Sequence, residues 1–275
     1  MPEQSSYIHN KMGGKLNDNQ IAPYVIMPGS QNRIQKIVKH WDEYRILAEH
    51  YEFHVCSGLL KGQEITACST GIGGRSTSIA VDEMAALGAH TFIRVGVTGG
   101  IQEHMQVGDL VIATGAVRLD RTSEHYVFKE YPAVADTEVV CALISAAKSL
   151  GCVYHAGIVA TVSSFYAGQG ITCHNGYRNS RMDTIGADLK NANVYDWDSE
   201  TATILTLSNL YGLRAGRVNV VVDDPDTGLY NPIGEEMAVS VTNKAIETLM
   251  EWDKHKKETE QPFILPSLPP ENYEI

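Results

Sequence analysis

Short apolar runs that end in glycine turns alternate with helix-periodic segments along most of the chain. Residues 24–27 are apolar and stop at Pro28-Gly29, which reads as a strand and then a loop. Residues 53–57 and 64–69 are extended in character, with Lys61-Gly62 between them, and predict a hairpin. After Gly71-Ile72-Gly73-Gly74 a helix is expected over 76–87, with Ile79, Ala80, Met84 and Leu87 at helical spacing. Ser76 or Thr77 would cap it and Gly88 would end it. Residues 91–97 form a buried-type strand closing on Thr98-Gly99-Gly100, and 109–117 form another. The same pattern predicts helices over 137–150, 199–210 and 234–252, and strands over 156–162 and 217–222. Strands interleaved with helices imply an α/β domain with a largely central sheet.

The chain has 275 residues, enough for one large core or at most two small ones. Its net charge of -11 gives it no global attraction for nucleic acid or an anionic membrane surface. An anionic ligand would have to be held by a few locally placed donors. The apolar runs are too short to span a bilayer, and residues 1–14 lack the apolar stretch of a signal peptide. Cys56, Cys68, Cys141, Cys152 and Cys173 are odd in number, with no C-x-x-C pair, which speaks against a disulfide framework or a structural zinc. Inert thiols in a reducing compartment fit better, so a cytoplasmic location is expected. Four of the ten prolines fall at 262, 266, 269 and 270, so the end of the chain reads as a tail. The expected organisation is an arm over 1–20, one domain over 21–252 and a proline-rich tail over 253–275.

In α/β folds, ligands gather at the carboxyl ends of strands. Three glycine turns lie at such ends: Pro28-Gly29, Gly71-Ile72-Gly73-Gly74 and Thr98-Gly99-Gly100. Glycine lets backbone N–H groups approach an anion closely, and a helix start adds partial positive charge. Arg33 follows Gly29 by four residues, and Arg94 interrupts the apolar strand Phe92-Ile93-Arg94-Val95. A charge there must be paired or face a cleft; a structural ion pair is the competing explanation. Glu200 opens a helix just after Asp196-Trp197-Asp198. Carboxylates favour helix starts for dipole reasons. They are also suited to gripping a pair of sugar hydroxyls.

Several stretches carry a resemblance. They are Cys68-Ser-Thr-Gly-Ile-Gly-Gly-Arg-Ser-Thr-Ser-Ile-Ala, Phe92-Ile-Arg-Val-Gly-Val-Thr-Gly-Gly-Ile-Gln, Val107-Gly-Asp-Leu-Val, Ser164-Phe-Tyr-Ala-Gly-Gln, Asp198-Ser-Glu-Thr-Ala-Thr and Gly212-Leu-Arg-Ala-Gly. Together, over about residues 20–252, they resemble the uridine phosphorylase branch of the nucleoside phosphorylase superfamily. The resemblance implies a single three-layer α/β domain with a central mixed, partly barrel-like sheet flanked by helices. It implies a homodimer or a ring of dimers with shared active sites, and phosphorolysis of a ribonucleoside to base and ribose 1-phosphate. Phosphate is then the co-substrate, and neither a metal nor another cofactor is needed. Residue by residue, Gly29, Arg33 and Arg94 match phosphate-binding positions. Ser199 and Glu200 match the segment that binds the ribose. Phe165 matches the aromatic packed on the nucleoside, and Gln169 the base-reading glutamine. His9 is the candidate for the histidine a neighbouring subunit offers to the ribose 5′-hydroxyl; a solvated tail histidine is the other reading.

The departures from the family pattern are specific. A Thr that touches phosphate and ribose is replaced by Val97, with Thr98 kept beside it as a phosphate-site candidate. A subunit-bridging phosphate Arg is Tyr51 here, and a base-site Arg is Ile171. Asp223-Asp224-Pro225 stands where a second base-site Arg is expected. Arg75 is the candidate to compensate for the lost phosphate contact; a surface residue at a helix start is the other and favoured reading. Asp224 matches an Asp that serves purine N7 in the purine-cleaving branch, and is a candidate catalytic acid beside Arg94 and Glu200; a capped turn is the alternative. Losing phosphate contacts raises two rivals, hydrolysis with water as nucleophile and a nucleoside-binding paralogue with a decayed site.

Overall fold

The computed structural model describes residues 20–223 and 230–263. His9 and Asp224 lie outside the described residues. The first half of the fold runs β1 (Tyr24–Pro28), α1 (Gln31–Val38), β2 (Glu43–His50), β3 (Phe53–Leu60), β4 (Gln63–Cys68), α2 (Gly74–Ala86), β5 (Thr91–Thr98), β6 (Leu110–Leu119) and β7 (Ala133–Val134). The second runs α3 (Thr137–Ser149), β8 (Tyr154–Val162), α4 (Phe165–Gly168), α5 (Ser180–Asn191), β9 (Trp197–Asp198), α6 (Thr201–Leu210), β10 (Arg214–Val221) and α7 (Glu235–Thr259).

All the strands join one mixed sheet, in the order β2-β3-β4-β1-β5-β10-β6-β8-β9, with β7 paired to β6. β1, β5 and β10 are mutually parallel neighbours, so their carboxyl ends open on the same side. Their residues are buried on both faces, as the continuous apolar runs require. On one face Ile26, Ile93, Val95, Val218 and Val220 pack with Ile34 of α1, Val139 of α3 and Ala238 and Ile246 of α7. On the other, Val25, Met27, Phe92 and Ala215 pack with Ala80 and Met84 of α2 and Ile204 of α6. Two helical layers thus sandwich the sheet, as expected for an α/β fold with a central mixed sheet. Phe92 is fully buried between layers, and truncation to Ala would cost about 3–5 kcal/mol.

Three local features differ from expectation. The helix after the Gly71 turn starts at Gly74, and Gly73, with φ of 97°, is its cap residue. Ser76 and Thr77 are already inside the helix, and their hydroxyls donate back to the Gly73 carbonyl. The Gly73 N–H is taken by the Glu200 carboxylate at 2.6 Å, a partner 127 residues away. The last helix runs beyond Trp252 to Thr259. Its extra turns are anchored: Asp253 accepts from Arg214 at 2.5 Å and from the Tyr24 hydroxyl, and Lys256 pairs with Glu138 at 2.6 Å. The amphipathic α1, the edge strand β2 and helix α5 add elements between the segments read from sequence. All five cysteines are free, and burial pushes the Cys56 thiol up to about 12. No helix among the described residues is long and apolar enough to cross a membrane.

Candidate active site

A cavity of about 910 Å³ opens at the carboxyl ends of β1, β5 and β10. Gly29 and Arg33 reach it from the β1–α1 turn, and Arg94, Val97, Thr98 and Gly99 from β5 and the turn after it. Phe165 and Gln169 bracket α4, while Trp197, Asp198, Ser199 and Glu200 come from β9 and the start of α6. All eight sequence-predicted site residues within the described part of the chain therefore line one cavity.

Arg94 is the centre of this arrangement. It is 5% exposed, and its side chain leaves β5 on the face of α2 and α6. Gly96, two residues on, makes room: a Cβ there would lie 3.3 Å from Arg94 Nη2 and 2.9 Å from Asn219 Oδ1. Arg94 Nε donates to Asp198 Oδ2 at 2.9 Å, and Nη2 pairs with Glu200 Oε2. Nη1 is buried without a hydrogen-bond partner. A Cβ placed on Gly29 would sit 3.8 Å from that atom, so the free donor edge faces the β1–α1 turn. A fully spent structural arginine does not describe this geometry.

The two carboxylates differ in state. Burial and the charge of Asp198 push Glu200 above the usual carboxylate range, and Arg94 offsets this only in part. Burial also acts to raise Asp198, but the guanidiniums of Arg94 and Arg217 outweigh it and hold it low. Asp198 also collects the Thr201 N–H at 3.0 Å, the Thr201 hydroxyl, and the Thr161 hydroxyl at 2.7 Å. It is thus the anion at the α6 N-terminus, where the helix dipole favours charge. Glu200 lines the cavity with Oε1 accepting from the Gly73 N–H and Oε2 paired with Arg94, and the Ser199 backbone also donates to this carboxylate.

Arg33 is held from α7: its Nη2 lies 3.6 Å from Glu235 Oε1. Lys36 and the Tyr230 hydroxyl share that carboxylate at 2.7 and 2.6 Å. Burial would raise Glu235, and these donors instead keep it below its ordinary range. Thr98 lines the cavity, but its hydroxyl donates to the Trp197 carbonyl at 2.5 Å. Phe165 is 56% exposed at the mouth, with Tyr166 edge-on beside it. Tyr51 stands at the cavity rim in a left-handed turn, with φ of 49°. Arg75 is exposed on the first turn of α2 and is not among the residues that line the cavity. Ile171 is likewise not a lining residue; its N–H donates to the Tyr166 carbonyl at 2.8 Å.

Lining residues to which sequence reasoning assigned no role include Asp198, Trp197, Tyr230 and Asp223. Asp223 lies two residues past β10 in an isolated bridge with Tyr230, and burial raises its carboxyl above the ordinary range. Its position at a strand end was the signal available. Glu235 gave no signal, because its link to Arg33 spans 202 residues.

Residues 23–251 match the phosphorylase superfamily. The chain belongs to that family. It is 50% identical over 237 residues to a uridine phosphorylase from Thermococcus kodakarensis, covering 86% of each chain. Uridine phosphorylase of Escherichia coli is 42% identical over 212 residues, 77% of this chain and 84% of that one. A guanosine phosphorylase from Halorubrum lacusprofundi is 32% identical over 206 residues, 75% of this chain and 80% of that one. The family membership agrees with the α/β sandwich and with a cavity at the strand ends.

Proposed function

We propose that this protein is a nucleoside phosphorylase of the uridine phosphorylase type, a pentosyltransferase. A phosphate oxygen forms a bond to ribose C1′ as the C1′–N glycosidic bond breaks. The bonding pair leaves with the base, which takes up a proton, and ribose 1-phosphate is the second product. The observation that carries this reading is the buried Arg94, pinned on two edges by carboxylates and presenting Nη1 to the Gly29 turn.

In this reading phosphate is held by the Gly29 amide, Arg33, Arg94 and the Thr98 segment. The bound anion stabilises the developing positive charge on the ribosyl ring before it attacks, and the fixed donors need no reorganisation. Glu200 and Ser199 receive the ribose hydroxyls. Phe165 packs on the nucleoside and Gln169 reads the base edge. Because Glu200 is pushed up by burial, it gains from accepting hydroxyl donors, which favour its charged form. Phosphate is the co-substrate, without a further cofactor. His9 of a neighbouring subunit completes the ribose site, and Asp224 assists the leaving base, in a homodimer or ring of dimers. The enzyme would serve cytoplasmic nucleoside salvage.

The Tyr51 and Val97 replacements leave Arg94 and Arg33 as the charged donors to the anion. Relatives named as phosphorylases support phosphate over water as the nucleophile. Initial rates of base release from uridine, thymidine, inosine and adenosine, with and without phosphate, test the proposal. Uridine turnover is expected only with phosphate. Equal rates in phosphate-free buffer would replace phosphorolysis by hydrolysis.

A further inference from the structure

Beneath the cavity the buried charges continue past Arg94. β5 and β10 are parallel neighbours, and Arg94 is the register partner of Arg217. Register partners project from the same face, so two arginines enter the α2–α6 layer side by side. Opposite them, Asp196 and Asp198 alternate on the segment that forms β9, fixed by the Trp197 N–H on the Gly99 carbonyl and the bridge between Gly100 and Asp196. The charges therefore alternate in sign: Glu200, Arg94, Asp198, Arg217, Asp196. Arg217 and Asp196 are both 0% exposed and meet through one hydrogen bond of 2.8 Å. Arg217 Nε and Nη2, Asp196 Oδ1 and Asn219 Oδ1 have no partner.

A fully buried ion pair with so few hydrogen bonds recovers little of its desolvation cost. Apolar residues would pack the same space more cheaply, so the pair calls for another role. Arg94 alone faces two carboxylates, which would leave the anion subsite negative. The charge of Arg217 reaches Asp198 and helps keep it low, and Asp196 in turn acts on Arg94.

We propose that Arg217 is a positioning residue: its guanidinium counters Asp198, so that Arg94 retains uncompensated positive charge and a fixed orientation toward an anion, while Asp196 trims that effect from the far end. The inference rests on the reading that Arg94 holds phosphate. The charged groups that act on the pair are Asp198 and Arg94 of that row, with Asp223 against the neighbouring Gly99 turn and Asn219 and Thr98 as neutral polar neighbours.

Opposite changes at the two ends of the row give the test. In Arg217→Met, KM for phosphate should rise about tenfold, with KM for uridine within about twofold of the wild type, as expected for removing a unit charge at an effective dielectric near 20. Arg217→Lys, which keeps the charge, should recover most of that loss. Asp196→Asn should lower KM for phosphate by about threefold. A purely structural pair would give lower melting temperatures with no split between the two KM values, or the same sign at both positions, and either result overturns the inference. Should Arg217→Met not fold, Asp196→Asn decides alone: an unchanged or raised KM for phosphate refutes it. A wild-type enzyme indifferent to phosphate would instead remove the reading underneath.

Discussion

Gly29 has no side chain, and the space this leaves is what exposes Arg94 to the cavity. A methyl group there would meet the Gly71 carbonyl at 3.5 Å and Arg94 Nη1 at 3.8 Å, both ordinary contacts. Gly29→Ala should therefore fold with an almost unchanged melting temperature. It should still raise KM for phosphate about tenfold, because one charge-assisted hydrogen bond is worth about 1.5–3 kcal/mol. Titration of phosphate at saturating uridine reads this. Arg94→Lys should be worse for both substrates, since a lysine ammonium cannot serve Asp198, Glu200 and an anion along three planar edges. A fall in kcat/KM of about 100-fold is expected, corresponding to about 2.7 kcal/mol. Arg94 was legible because a charge in an apolar strand must be explained. Arg217 lies in a comparable strand, yet its partner Asp196 is 21 residues away and precedes β9, which β6 and β8 separate from β10 in the sheet, and no local pattern reveals this.

Among the elements, those with strong periodicity were legible: β1, the β3–β4 hairpin, β5, β8, β10 and helices α2, α3 and α6 follow the apolar pattern. What stayed hidden depends on long-range partners. The start of α2 is set by a carboxylate from α6 and not by its own hydroxyls. Helix α7 passes through a strongly charged stretch that reads as solvated tail, and it is held there by Asp253, Lys256, Arg214 and Glu138. Burial would raise the Asp253 carboxyl, but Arg214, Tyr24 and Lys256 outweigh it and hold it well below the usual range. A depressed folded-state value means stability that is present above the unfolded pKa of about 3.9 and fades as pH falls toward the folded value. Asp253→Asn should thus lower the melting temperature at pH 7, and the deficit should shrink below about pH 4. Its kcat/KM should be unaffected, because the residue sits at the opposite ends of β1 and β10 from the cavity. Thermal melts from pH 3 to 7 measure this. Asp196 has the reverse sign: burial lifts it to about 6, so its contribution to stability falls as pH rises between the unfolded value and about 6.

For the whole molecule, a net charge of -11 coexists with an anion subsite because positive groups are concentrated locally. Arg33 and Arg94 converge on one cavity, each fixed by a carboxylate from a different element, Glu235 of α7 and Asp198 of β9. The fold achieves this by placing the ends of three parallel strands together and closing the space with the starts of α1, α4 and α6. The family pattern made that convergence legible in sequence, whereas the outcome of the Tyr51, Val97 and Ile171 replacements required the fold. Val97 and Tyr51 line the cavity, and Ile171 turns to the Tyr166 backbone instead. Phosphorolysis is the claim on which these arguments converge. Phosphorus and proton NMR of the enzyme with uridine and phosphate, recorded together, test it most directly. Uracil and ribose 1-phosphate should accumulate in equal amounts, with inorganic phosphate consumed at the same rate. Free ribose appearing with uracil while phosphate stays constant would contradict it.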